Sequence, residues 1–188
     1  MSYYSLKILL AGDGAVGKTS IAQRFIRGKF ITNYTQTVGV DVSHKEIKKN
    51  GDIIAKLAIW DIAGQDHYNF MRQNFYYGTD GVVLIFDLTR HETFEHLGGW
   101  IEEIRKQVDE EVPFILVGNK VDLIEDVGEV VDHKDAVSLA EDLNLTYREA
   151  SAKSGLNIEI IFQDLTDKII KNKTYGIDVM QKLWGKKD

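Results

Sequence analysis

Residues 81–87 read GVVLIFD, with no polar position before the closing Asp87. A strand that is apolar on both faces must be covered on both faces. A parallel sheet sandwiched between layers of helix provides that cover. The rest of the chain therefore has to supply neighbouring strands and amphipathic helices on each side.

It does so in alternation. Residues 6–11 and 114–117 form further short apolar runs, and 145–150 is expected to be a last strand. Helical spacing appears over 18–27, 133–144 and 157–170, and over 94–108 through Leu97, Trp100, Ile101, Ile104 and Val108. Residues 38–47 and 53–60 flank Lys48-Lys49-Asn50-Gly51-Asp52. Asn and Gly both tolerate positive φ, so these two strands are expected to form an antiparallel hairpin. The expected fold is α/β: a six-stranded, mostly parallel sheet with one antiparallel strand and about five flanking helices. Ligands of such sheets bind beyond the C-terminal ends of the strands. One domain is expected over 1–171, with 172–188 as a tail.

Composition excludes several functions. The chain has 188 residues, 29 of them acidic and 23 basic, and the net charge of −6 disfavours a nucleic-acid partner. Cysteine is absent, which removes disulfides, thiolate metal sites, a cysteine nucleophile and thiol-linked lipids. No apolar run approaches the roughly 18 residues that a bilayer-spanning helix needs, and the run 8–11, followed by Gly12 and Asp13, is too short for a signal peptide. A cytoplasmic location and a monomer are expected.

Gly12-Asp13-Gly14-Ala15-Val16-Gly17-Lys18-Thr19 fits G-x-x-x-x-G-K-[ST] between a strand and a helix. Glycines there let the chain curl so that successive N–H groups face phosphate oxygens, assisted by the helix N-terminus. Lys18 is expected on the β- and γ-phosphates and the Thr19 hydroxyl on Mg²⁺. By itself the motif suits ATP and GTP equally.

Asn119-Lys120-Val121-Asp122 follows the strand at 114–117 and suggests a choice between them. A carboxylate at Asp122 accepts from both N1–H and the 2-amino group of guanine. Against adenine it faces a lone pair and stays desolvated and unpaired, which is costly. The Lys120 stem can cover the base, and Asn119 can tie the loop to its neighbours. Ser151-Ala152-Lys153, after the last strand, can offer a backbone N–H to guanine O6 and a second covering stem. Asp61-Ile62-Ala63-Gly64-Gln65 follows the third strand. Asp61 can hold a metal-bound water, Gly64 can bring an N–H to the γ-phosphate, and Gln65 can orient attacking water. Thr37 can complete the Mg²⁺ shell.

Taken together, GDGAVGKTS, TVGVD, WDIAGQD, NKVD and SAK resemble the signature segments of Ras-superfamily small GTPases, over roughly residues 5–171. The likeness is greatest to the Rab branch, through KLAIWDIAGQD and YYGTDGVVLIFDLT. It implies a P-loop G domain that binds GTP or GDP with Mg²⁺, hydrolyses GTP slowly and changes shape in doing so. It also implies that Phe30 packs on the guanine edge, Tyr34 lies over the phosphates and Ser20 sits near the α-phosphate. The catalytic set would be Gln65, Lys18 and Thr37, and the metal set Thr19, Thr37 and, through water, Asp61.

The resemblance further implies mobile segments at 29–41 and 62–78 that meet effectors, an exchange factor and an activating protein. Trp60, Tyr68, Phe70 and Tyr76 are candidates either for aromatic surface there or for plain core, with Trp60 expected to be partly buried. No arginine in these motifs is placed to act on the γ-phosphate, so an activating partner is expected to supply one. Ile62 and Asp66 depart from the usual residues, and the prenylated cysteines typical of Rab proteins are missing. Ile177, Met180 and Trp184 form a stripe in the tail that suits docking on the domain, docking on a partner or peripheral contact with a membrane. A module locked on guanine nucleotide without hydrolysis and an ATP-using P-loop enzyme are the competing readings.

Overall fold

The computed structural model describes residues 2–32, 37–49, 53–64, 72–128 and 130–184, with side chains described up to residue 174. Six strands form one sheet: β1 (Ser2–Ala11), β2 (Val40–Lys49), β3 (Ile53–Ile62), β4 (Gly81–Asp87), β5 (Phe114–Asn119) and β6 (Thr146–Glu149). Their spatial order is β2-β3-β1-β4-β5-β6. All neighbours are parallel except β2 and β3, which pair antiparallel with Lys49 opposite Ile53. The expected Asn50-Gly51 turn between them lies outside the described residues. Helices α1 (Lys18–Arg27), α2 (His91–Glu95), α3 (Leu97–Arg105), α4 (Ile124–Val127), α5 (His133–Asp142) and α6 (Ile158–Trp184) pack around the sheet.

Strand β4 is buried at all seven positions, because each face of the sheet carries its own core. On one side Ile8, Leu10, Val83, Ile85, Ile115 and Val117 meet α1 and α6. On the other, Leu9, Val82, Leu84, Phe86 and Leu116 meet α3 and α5. The α1–α6 contact centres on Phe25 and Phe162, whose rings stack with centroids 3.9 Å apart. Both are fully buried.

The chain runs from β1 to β3 on one side of the sheet and to β4 on the other. The strand order therefore reverses at β1, and a crevice opens beyond the C-terminal ends of β1 and β4. Register places Asp61 beside Leu10, and Asp87 opposite Asn119. Three polar side chains, Asp61, Asp87 and Asn119, thus sit at the C-terminal ends of β3, β4 and β5, along one edge of the sheet.

Several boundaries differ from the sequence reading. Strand β1 begins at Ser2, four residues before the apolar run, because residues 2–5 pair with β3 from Ile53 onward while their side chains stay largely exposed. The helix expected over 94–108 is two helices, α2 and α3, that meet at His96. Gly98 and Gly99 follow that joint and lower helical preference there. The final helix continues past residue 170 to Trp184 without a break. Of the two readings open for Tyr76, surface and core, the structure shows core. Its ring is fully buried, and its hydroxyl donates to Glu103 Oε1 at 2.7 Å, the carboxylate that also holds Arg72.

Replacing Phe162 by Ala removes one ring of the stacked pair from a site with no solvent access. Equilibrium urea unfolding is expected to show a loss of about 3–5 kcal/mol.

Candidate nucleotide-binding site

The loop between β1 and α1 is shaped by three residues with positive φ: Gly12 (132°), Ala15 (63°) and Gly17 (100°). A Cβ on Gly12 would lie 2.0 Å from the Ile85 carbonyl oxygen, and one on Gly17 would lie 2.3 Å from Asn119 Nδ2. Both positions demand glycine on conformation and on space. At the start of α1, Lys18 is 6% exposed and folds back over the loop, donating to the Gly12 and Asp13 carbonyl oxygens at 2.8 and 2.7 Å. Burial pushes its ammonium down to about 8, with Asp61 and Asp13 acting in the opposite sense. A cavity of about 550 Å³ opens here, lined by Gly14, Ala15, Gly17, Lys18, Thr19, Ser20, Thr37 and Gly64, among others.

Across that cavity the Thr19 and Thr37 hydroxyls lie 2.8 Å apart. Both also donate to Asp61 Oδ2, Thr37 at 3.2 Å. Asp61 is 2% exposed, and its second oxygen, Oδ1, is buried with no hydrogen-bond partner. Burial raises its carboxyl above the usual range, opposed by the bond from Thr19 and the charge of Lys18. Two hydroxyls and a carboxylate with an orphaned oxygen form a hard-oxygen donor set, which fits Mg²⁺. Gly64 closes the cavity. A Cβ there would come within 2.3 Å of the Gly12 oxygen and 2.4 Å of Lys18 Nζ. Gln65 and Tyr34, both expected at this end, lie outside the described residues.

A second cavity of about 280 Å³ shares Gly17, Ser20 and Lys120 with the first, so the two form one cleft. Phe30, Asn119, Asp122, Ala152 and Lys153 also line it. Asn119, 1% exposed, donates through Nδ2 to the Val16 carbonyl at 2.8 Å and accepts from Ala152 N–H at 3.3 Å. Lys120 adopts a left-handed φ of 70°. Ser151 donates from Oγ to Asp122 Oδ1 and accepts from Ser154 N–H at 2.9 Å. Lys153 Nζ lies 4.0 Å from Asp122 Oδ2.

Among the described residues, the structure thus brings predicted groups of both ends to one cleft. The Asp13 carboxylate turns away from the loop's inner face, accepting from Trp100 Nε1 at 2.8 Å and pairing with His96 Nδ1 at 2.7 Å. The sequence reading also missed two residues. Asp87, 1% exposed, binds Lys120 Nζ at 2.6 Å, and Arg90 reaches the Gly14 carbonyl at 2.8 Å. A charged residue closing an otherwise apolar strand was the available signal for Asp87. Arg90 carried none, because its contact spans 76 positions.

A Ras family model matches residues 7–171 of this chain. The chain belongs to the Ras family. This small GTPase is 35% identical over 186 residues to Ras-related protein RABD1 of Arabidopsis thaliana, covering 95% of this chain and 89% of that protein. It is 37% identical to Ras-related protein Rab-1A of Dictyostelium discoideum over 171 residues, 91% and 83% of the two chains. It is also 37% identical to Ras-related protein SEC4 of Candida albicans over 168 residues, 89% and 78% of the two. Like other Ras-family GTPases it binds guanine nucleotide.

Substituting Gly17 by Ala puts a methyl group on Asn119 and forces a left-handed conformation on a residue that disfavours it. Titration with fluorescent GDP is expected to show affinity reduced about 10- to 100-fold.

Proposed function

We propose that this small GTPase is a Rab-like switch of membrane traffic that holds GTP or GDP with Mg²⁺ and hydrolyses GTP slowly. The observation that carries the reading is the single cleft described above. It has a phosphate-sized cradle at one end and an Asp122 carboxylate steadied by Ser151 at the other, with Asn119 fastening the two. In this reading Asp122 accepts from guanine, Phe30 and the stems of Lys120 and Lys153 cover the base, and Ala152 N–H faces O6. The residues of the loop, Gly12 to Ser20, surround the phosphates.

Thr19 and Thr37 would hold Mg²⁺ directly, and Asp61 through water. The bound ion supplies charge neutralisation on the β- and γ-phosphates. Lys18 would leave the carbonyls it now binds for phosphate oxygens, whose negative charge offsets the burial that lowers its ammonium. Gly64 admits a backbone N–H to the γ-phosphate, and Gln65 orients the attacking water. Tyr34 shields the phosphates. Loss of the γ-phosphate removes the contacts that hold 29–41 and 62–78, and effectors, an exchange factor and an activating protein read that difference. The domain comprises residues 1–171 and the tail 172–188. No helix among the described residues is long and apolar enough to cross a membrane. We place the protein in the cytoplasm as a monomer, its tail docking on the domain or on a partner, with peripheral membrane contact as the less favoured alternative.

Purified protein, denatured and analysed for bound nucleotide, is expected to release guanine nucleotide at close to one per chain. Asp122→Ala is expected to lower GDP affinity by about 100-fold or more, because two hydrogen bonds to a charged acceptor are lost. In that variant ATP should compete with labelled GDP far better than it does in the parent. Unaltered discrimination would remove Asp122 from the base site.

Single-turnover GTP hydrolysis is expected on the order of 10⁻⁴ s⁻¹, the intrinsic range of small GTPases. Gln65→Leu should slow it at least tenfold with GDP affinity unchanged, and hydrolysis at the parental rate would exclude Gln65 from the mechanism.

A further inference from the structure

Outside the cleft, on the back of the phosphate loop, lies an arginine that none of the sequence motifs contains. Arg90 follows β4 and caps α2 in an extended conformation. Its backbone is anchored: its N–H donates to the Asp87 carbonyl at 2.9 Å, and its carbonyl accepts from Thr93 N–H at 3.1 Å and Thr93 Oγ1 at 2.8 Å. Its guanidinium bridges two acceptors, donating from Nε to Asp87 Oδ2 at 3.1 Å and from a terminal nitrogen to the Gly14 carbonyl at 2.8 Å. The other terminal nitrogen lies 3.6 Å from Glu92 Oε1.

The carboxylate that anchors this fork is well built. Asp87 Oδ1 accepts from Thr89 N–H at 3.0 Å and Thr89 Oγ1 at 2.7 Å, while Oδ2 also binds Lys120 Nζ. Burial acts to raise this carboxyl, but the bonds from Lys120 and Thr89 outweigh it and hold the group below the usual range. A buried charge therefore fixes two cations, Lys120 on the loop after β5 and Arg90 on the loop after β4, which reaches the phosphate loop.

The Gly14 carbonyl and the Ala15 N–H belong to one peptide unit. In a trans peptide these two groups point in opposite directions, so whatever holds the oxygen outward aims the N–H inward. Gly14 and Ala15 both line the phosphate cavity, and there are no cis peptide bonds in the described chain. Ala15 holds a φ of 63°, which a non-glycine residue adopts only when its surroundings require it. We propose that Arg90 is a positioning residue for bound nucleotide: by gripping the Gly14 oxygen from outside it aims the Ala15 N–H at a phosphate oxygen and slows nucleotide release. It does this without touching the nucleotide. A fork is needed to span Gly14 and Asp87 together, a role lysine fills only in part.

This inference rests on the guanine-nucleotide reading, and the experiment separates the two. Wild type, Arg90→Ala and Arg90→Lys are loaded with fluorescent GDP in the presence of Mg²⁺, and release is followed after adding excess unlabelled GDP. Release from Arg90→Ala is expected to be about tenfold faster, from the loss of one charge-assisted hydrogen bond, and Arg90→Lys should fall between. Amide exchange of the GDP-bound proteins should show faster exchange at Ala15 in Arg90→Ala, while amides of β6 remain as in wild type. A loss of general stability would move both. Wild type that binds no labelled GDP sinks the nucleotide reading and this inference with it. Unchanged release from an Arg90→Ala protein that does bind, or faster release with the Ala15 amide unaltered, sinks the inference alone.

Discussion

One buried amide holds the cleft together. Asn119 ends β5 and spends both halves of its side chain on backbone groups, reaching Val16 in the phosphate loop and Ala152 in the loop after β6. These three segments are distant in the chain and have no other common neighbour of this kind among the described residues. An amide suits the task because it donates and accepts at once, whereas a carboxylate would repel the Val16 oxygen. Its almost complete burial removes competition from water and makes each bond expensive to leave unmade. Glycine at position 17 follows from this arrangement, since the amide occupies the space that a side chain there would need.

Around that tie, carboxylates at strand ends do different work according to what surrounds them. Asp61 retains an oxygen with no partner and is pushed toward its neutral form, a condition that a cation would relieve. Asp87 is satisfied by Thr89, Lys120 and Arg90 and is held charged. Asp122 is partly open and steadied by Ser151, facing the cavity. The sheet edge and the loop after β5 thus present one acid with an unpaired oxygen, one fully paired and one half-buried.

Much of this was legible in the sequence because period and turn chemistry are local. The apolar run at 81–87 demanded cover on both faces and received it, and the glycine pattern at 12–17 placed the loop correctly. Residues 2–5 were missed as strand since exposed strand ends lack the apolar signal, although backbone pairing extends through them. The break at His96 was missed because hydrophobic spacing continues across it with little change. The place of Tyr76, surface or core, stayed open for a related reason. An aromatic residue in a loop segment resembles surface until Glu103, supplied by a different helix, gives its hydroxyl a buried partner. Arg90 was invisible because its meaning depends on which backbone oxygen lies beside it after folding.

The position of β4 has a consequence for how the molecule is assembled. This strand is flanked by β1, paired from Ile8 against Gly81, and by β5, paired from Val82 against Phe114. Its neighbours are thus contributed by opposite halves of the polypeptide. A fragment ending before β5 would possess the glycine loop and its lysine yet expose a bare, wholly apolar edge to solvent, inviting self-association. The cleft is therefore complete only when the second half of the chain brings Asn119, Asp122 and Ala152 to the glycine loop of the first.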